Sequence, residues 1–479
     1  MKVMLLSLPG MSQGDGNLFP LGIGYLAGSL KADHAVESYH FSTMKQARKE
    51  IPKRIERQKP DVVGLSCTTF NRGFVQDTIK QLKVIGKNAR IVVGGVHASY
   101  CHAQVLKEYG ADIVVIGEGE ETFAELCDTL DGGTPLRSVK GISYMDGDEL
   151  LPTPPRDPIA NLDGLPIPDF TYAAPFIERE KMGFLITSRG CPVRCTFCST
   201  SGFWGQKVRM NSPSRVVDEM EMLISRFKVK RIFFHDDTFN LGIPRVKEIC
   251  AEIIRRGIRV DWGCSCRVAP VSEEMIACMV EAGCRHICWG VESGSEQILK
   301  TIDKKISLDQ IRNAFNLSKR HSDVMSTGAF TMVGNPGEST ETVRETENFF
   351  NTIPITDAPG TAILYVLPGT VLYENLRDRG YISDEDWLRS GSVPLHTIEN
   401  SLLTLTKWAK RISDSGIRVP FDPINHIWRK ESSGDDDSRD VTILHKIGNL
   451  AVRLGMVALN IRGYLLPGRL LFFKIRQEV

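Results

Sequence analysis

Short apolar runs recur along this chain at intervals of roughly 25 residues, each followed by an amphipathic stretch. VMLLSL (3–8), AVESYHF (35–41), DVVGLSC (61–67), RIVVGG (90–95) and DIVVIG (112–117) form one series. FLITS (184–188), RIFFHDD (231–237), VDWGCSCR (260–267), HICWGVES (286–293), MSTGAFTMVG (325–334) and AILYVLP (362–368) form a second. Strands alternating with helical patterns build parallel sheets from βα units, so the chain is α/β. The first series predicts an open, doubly wound, Rossmann-like domain over residues 1–146. The second has too few units for an eight-stranded barrel and predicts a partial (βα)6 barrel over 181–380, with chemistry at the strand C-termini.

Between the two series, 147–180 is dense in Pro and Asp and reads as a surface linker. Beyond 380 the pattern weakens into a mostly helical capping region (381–430), an acidic connector (431–440) and a basic amphipathic tail (441–479). A tail rich in Arg, Leu and Phe suits either a membrane surface or a helix packed on the barrel. No apolar run approaches the roughly 18 residues of a spanning helix, and the start lacks a cleavage pattern, so a cytoplasmic location is expected, with peripheral membrane contact through the tail. The 59 Lys and Arg against 58 Asp and Glu leave a net charge of +1, without the footprint of a nucleic-acid binder.

The strongest chemical signal lies among the 12 cysteines. CPVRCTFC places Cys191, Cys195 and Cys198 on one short loop after the first strand of the second series. Three thiolates can ligate three irons of a cubane [4Fe-4S] cluster and leave the fourth iron open to a chelating ligand. A zinc site would want a fourth Cys or His nearby, and none follows soon after Cys198. The other nine cysteines fall mostly within strand or helix patterns and read as packing residues, Cys264 and Cys266 included.

This loop, with Phe197 before its last cysteine, resembles the signature of the radical S-adenosylmethionine superfamily. The resemblance implies that the open iron chelates S-adenosylmethionine, whose reductive cleavage gives a 5′-deoxyadenosyl radical. It also implies cofactor contacts from Phe197, from Asp236 and Asp237 toward the methionine ammonium, and from Arg267, Glu292 and Ser293 toward ribose and carboxylate. An N-cap by Asp237 or Thr238, and an ion pair between Arg267 and Glu292, are the purely structural alternatives. GNPGES (334–339) and YVLPGT (365–370) also look like this superfamily, with backbone lining the adenine pocket and side chains shaping turns.

An open α/β domain before such a barrel resembles the cobalamin-binding subfamily, and FPLGIGYLAGSL, GGVHAS and GEGEETF are similar to its text. The resemblance spans about residues 1–380 and covers both class B radical methyltransferases and the anaerobic Mg-protoporphyrin monomethyl ester cyclase. In an open α/β sheet ligands sit beyond the strand C-termini, which makes Ser66, Thr68, Thr69, Gly94, Gly95, Gly117 and Glu118 the candidate cobalamin contacts. The Asp-x-His-x-x-Gly loop that supplies a lower cobalt ligand in many carriers is missing, and His97 after a glycine turn reads as a hydrogen-bonding residue. The implied function is methyl transfer to an unactivated carbon by way of methylcobalamin. The alternative is a radical oxidoreductase or cyclase of the same layout. The implied partners are a small or lipid-like substrate and a low-potential electron donor such as flavodoxin or ferredoxin.

Overall fold

In the computed structural model the described residues are 1–10, 20–86, 88–384 and 392–418, with the backbone of 471–474. The acidic connector and almost all of the basic tail lie outside them. Among the described residues no helix is long and apolar enough to cross a membrane.

The first domain is a seven-stranded sheet. Its strands are β1 (Lys2–Ser7), β2 (Ala35–His40), β3 (Val62–Ser66), β4 (Arg90–Gly94), β5 (Ile113–Val115), β6 (Ile142–Asp146) and β7 (Glu149–Pro152). Their order is β2-β1-β3-β4-β5-β6-β7, with the first five parallel and the last two antiparallel. The winding reverses between β1 and β3, which opens a crevice beyond their C-terminal ends. Both faces are covered: Met4, Val63 and Val93 pack on one side, and Val3, Val62 and Val92 on the other. That two-sided burial is why these strands read as unbroken apolar runs.

β6 and β7 correct the linker boundary. Residues 149–152 form an edge strand, and Pro152 is tolerated because an edge position needs no donor on its outer side. Ala174–Glu180 is a helix with Pro175 in its first turn. The stretch between them carries Ile159, Leu162, Leu165 and Phe170 as buried anchors, so it is bolted down rather than draped.

The second domain contains β8 (Met182–Leu185), β9 (Ser188–Arg189), β10 (Arg209–Met210), β11 (Arg231–Phe234), β12 (Asp261–Arg267), β13 (Cys284–Glu292), β14 (Ser326–Val333), β15 (Pro354–Ile355) and β16 (Gly360–Ile363). Six of them form one all-parallel sheet in the order β16-β14-β13-β12-β11-β8. Each βα unit therefore adds to the same edge, and the sheet curls into a half-barrel with helices outside. Helix 213–227 shows how the sequence builds this layer. Ser212 caps it by accepting from Arg215 N, Pro213 starts it, and Val216, Met220, Leu223 and Phe227 form its buried stripe.

Beyond the barrel, β17 (Ser392–Leu395), helix 402–413, β18 (Ile417–Arg418) and β19 (Leu471–Lys474) are described. Among the described residues of 381–430 are one helix and two short strands, β17 and β18. This region also closes on the barrel, where His396 Nδ1–H donates to the Gly334 carbonyl at 2.6 Å.

Candidate active site at the barrel mouth

The cysteine loop leaves the sheet at Gly190, whose φ of +98° and close approach to the Lys207 carbonyl, 2.6 Å from any added Cβ, admit glycine alone. Thr196 N then donates to the Ile302 carbonyl (3.0 Å), and Leu372 N to the Thr196 carbonyl (2.9 Å). These bonds hold Cys191, Cys195 and Cys198 at the mouth of the barrel. Burial pushes the Cys195 thiol up to about 11, against the pull of Lys304 and Arg267 close by. Among the described residues no trio of His, Cys, Asp or Glu side chains converges on one point for a single metal ion. A cubane asks for something else, one thiolate at each of three separate irons, and three cysteines on one braced loop suit that donor set. Phe197 packs at the rim of the barrel core.

The two aspartates after β11 have different surroundings. Asp236 is buried and accepts from Thr187 N and from the hydroxyls of Thr187 and Ser188, each at 2.6 Å. Burial raises its pKa while Arg245 and those donors oppose the rise. Its oxygens are committed to clamping the strand that leads into the cysteine loop. Asp237 is solvent-exposed in the concave mouth, with a single hydrogen bond from Thr200 Oγ1 (2.9 Å) and its pKa pushed up to about 6 by enclosure. Of the pair, Asp237 is the carboxylate available to a cationic ligand.

Arg267 and Glu292 do not pair with each other. The Arg267 guanidinium donates to the Lys304 carbonyl at 2.7 Å, while Glu292 Oε1 accepts from Lys304 Nζ at 2.6 Å. Glu292 sits in the left-handed region at φ +68°, next to a register shift between β13 and β14. Such backbone in a non-glycine residue is held only where the surroundings over-determine it, and it concentrates at functional sites. Ser293 is buried against Thr346 Oγ1 (3.0 Å) and shapes the turn. Lys304 is the residue the sequence reading missed, because a lysine after an ordinary helical pattern carries no spacing signal. In the two glycine-proline motifs, Glu338 accepts from Gly334 N and Asn335 N, and Ser339 and Thr370 cap the following helices.

In the first domain, Ser66, Thr68, Gly94, Gly95 and Gly117 lie half-buried along the C-terminal edge of the sheet. Ser99 laces two of these loops, accepting from Gly117 N (2.9 Å) and donating to the Gly95 carbonyl (3.0 Å). Thr69 is buried and its hydroxyl lies 3.2 Å from His97 Nδ1. His97 is itself buried, and burial with Arg72 nearby lowers its pKa to about 3. It is a neutral bracing residue, in line with its reading from the sequence. This edge, with glycines where a ligand must approach backbone, fits the tail of a cobalamin.

Glu118 faces the other domain. Its carboxylate lies 2.7 Å from Arg189 Nη1 and 2.5 Å from Arg209 Nη1, and Glu120 Oε1 lies 2.5 Å from Arg189 Nη2. Both its oxygens are thus engaged across the domain boundary. Burial works against the Arg189 charge, yet Glu120 and Glu118 outweigh it and its pKa rises. Tyr100, at the end of the helix after β4, reaches across too. Its hydroxyl donates to the Ser199 carbonyl (3.3 Å), one residue past Cys198, and its ring fills the space over Gly202 and Gly369. Phe70 meets Tyr365 edge-to-face with centroids 5.2 Å apart. The candidate cobalamin loops are therefore seated on the mouth that carries the cysteines.

Fold and site together define a two-cofactor enzyme, a cobalamin carrier docked on a radical S-adenosylmethionine half-barrel. The B12 binding domain family matches residues 11–127 and the Radical SAM superfamily residues 185–350. The chain is 34% identical over 380 residues, 78% of its length, to an uncharacterized methyltransferase, PH0819, of Pyrococcus horikoshii, of which it covers 82%. It is 30% identical over 387 residues, 77% of its length, to the anaerobic magnesium-protoporphyrin IX monomethyl ester cyclase of Cereibacter sphaeroides, and spans 62% of that protein. The structure of the radical S-adenosylmethionine methyltransferase TsrM from Kitasatospora setae, with tryptophan and aza-SAM bound, superposes with a TM-score of 0.68 at 20% identity, covering 79% of this chain and 76% of that one. The chain belongs to the cobalamin-binding radical S-adenosylmethionine enzymes.

Proposed function

We propose that the enzyme transfers a methyl group to an unactivated carbon of a small molecule. The observation that carries this reading is the bridge from Tyr100 to Ser199, which joins the β4 loop of the cobalamin domain to the cysteine loop. Methyl transfer needs both cofactors at one substrate, and the two loops share one mouth. When bound, the cluster with S-adenosylmethionine supplies hydrogen abstraction and cobalamin supplies the methyl group.

The chain's own residues bind, orient and exclude water. Cys191, Cys195 and Cys198 hold the cluster, and Asp237 receives the methionine ammonium through a charge-assisted hydrogen bond. Glu292, fixed by Lys304, meets the ribose, and Arg267 keeps the 304–305 segment against it. Phe197 walls the cofactor, while Asp236 and Ser293 act as positioning residues. Ser66, Thr68, Gly94, Gly95 and Gly117 cradle the cobalamin tail, with Thr69 and Glu118 bracing the loops. A reduced flavodoxin or ferredoxin serves as electron donor, and a cytoplasmic location goes with thiolates that need a reducing compartment.

The test is product analysis of anaerobically reconstituted enzyme with S-adenosylmethionine and reductant. Methyl transfer predicts S-adenosylhomocysteine and 5′-deoxyadenosine together. 5′-Deoxyadenosine alone would favour the oxidative or cyclase chemistry that the resemblance to the protoporphyrin cyclase keeps in view.

A further inference from the structure

Parallel register fixes which side chains share the inner face of the half-barrel. Phe184, Phe233, Gly263, His286 and Ser326 are successive Cα partners across five strands and form its floor. Two residues further along, Ser265, Cys288 and Gly328 are partners, and two further still, Arg267, Gly290, Phe330 and Gly360. A Cβ on Gly263 would stand 3.1 Å from His286 Cβ and 3.3 Å from Phe233 Cδ2, and one on Gly328 would stand 3.5 Å from Cys288 Sγ, so these residues face one another. The alternate residues face the helices: Thr331 lies 2.7 Å from Thr361, whose hydroxyl accepts from Ser413 of helix 402–413.

Above the aromatic floor the inner face is therefore built from small residues, apart from Arg267 at the mouth and Phe330. Phe330 is 46% exposed in an eight-residue strand whose other members are all buried, and its neighbours on both sides are glycines. A large aromatic left uncovered inside a parallel sheet, which ordinarily buries both faces, marks a surface kept for a ligand. The floor is also poor in charge. His235 packs against Phe184 and Phe233, tilted to both rings with centroids 5.1 Å from each, and burial lowers its pKa to about 4. His286, lowered likewise by burial, faces Asp357 at 3.5 Å. The charges of Arg267, Lys304 and Glu292 stay at the mouth and are engaged there.

We infer that this hollow is the substrate pocket and takes an uncharged, largely apolar group that lies against Phe330, with at most one hydrogen-bonding atom meeting His235. The inference rests on the proposed reaction for its placement beside the cofactors, but it concerns substrate class alone. It is tested by equilibrium dialysis of the reconstituted holoenzyme against N-phenyl-1-naphthylamine and 1-anilinonaphthalene-8-sulfonate, which share one aromatic frame and differ by a charge. The neutral probe should bind saturably and at least about tenfold more tightly than the sulfonate, since an unpaired charge is costly to bury. Phe330→Asp should weaken the neutral probe by about tenfold or more, Phe330→Leu should keep it within about threefold, and iron content reports that both variants fold. Equal affinity for the two probes, or a neutral-probe affinity indifferent to Phe330→Asp, would overturn the inference. Phe330-dependent binding in an enzyme that forms no S-adenosylhomocysteine would uphold the pocket and sink methyl transfer instead.

Discussion

Arg189 lies two residues before Cys191, and its guanidinium is 2.7 Å from the carboxylate of Glu118 in the other domain, with side-chain exposures of 5% and 6%. Neither charge can reach water, and with Glu120 on Arg189 and Arg209 on Glu118 they form one buried ionic network. Breaking such a pair by removing one partner leaves an uncompensated buried charge, at a cost of about 3–5 kcal/mol. Arg189→Ala should destabilise by that amount in chemical denaturation. The companion Glu118→Gln should be far less than additive with it, and additivity would show that the two groups do not act as a pair.

The Tyr100 wedge predicts a steric coupling across the same boundary. A Cβ on Gly369 would lie 2.1 Å from the Tyr100 ring, and Gly369 has a φ of +78°. Gly369→Ala should therefore cost about 1–3 kcal/mol through overpacking and backbone strain. Combining it with Tyr100→Ala should recover the overpacking part. If the double variant is no better than the sum of the singles, the ring does not occupy that space.

Asp236 and Asp237 should separate in their effects. Asp236→Asn removes charge-assisted bonds from three donors and should lower stability by about 2–4 kcal/mol. Asp237→Asn should melt close to wild type but weaken S-adenosylmethionine binding by roughly tenfold or more, by calorimetric titration of the cluster-loaded enzyme. The reverse assignment of the two effects would show that Asp236 is the ligand contact.

Glu338 predicts a pH dependence of stability. Burial raises its pKa from 4.5 to about 7, against the backbone N–H groups of Gly334 and Asn335. A carboxyl raised on folding stabilises fully below its unfolded pKa, and that contribution fades as pH rises through the folded value. Relative to Glu338→Gln, the wild type should lose stability between about pH 4.5 and 7 and run parallel above that. Parallel curves across the whole range would mean that the carboxyl titrates normally.

The frame was legible in the sequence because the central parallel strands of both sheets are largely buried, so they stand out as apolar runs. β6 and β7 were not, since an antiparallel edge with Asp146, Gly147 and Pro152 has turn chemistry in place of a run. In the site, spacing singled out Cys191, Cys195 and Cys198, but it could not tell Asp236 from Asp237. Their difference arises from Thr187 and Ser188, where β8 passes into β9 about 50 residues away. Glu118 read as a ligand-loop residue for the same reason: its partners, Arg189 and Arg209, belong to another domain. Tyr100 and Lys304 act through long-range contacts that leave no local pattern. Phe330 was hidden inside a strand whose other residues are all buried.

The most direct test is cobalt and iron analysis, with an absorption spectrum, of protein purified anaerobically and reconstituted with iron, sulfide and hydroxocobalamin. The wild type is compared with the Cys191, Cys195 and Cys198 to Ala triple variant. The two-cofactor enzyme predicts about one cobalt and four irons per chain, with the iron lost in the variant and the cobalt kept. Four irons without cobalt would contradict cobalamin-dependent methyl transfer and leave a radical enzyme with a different ligand in its first domain.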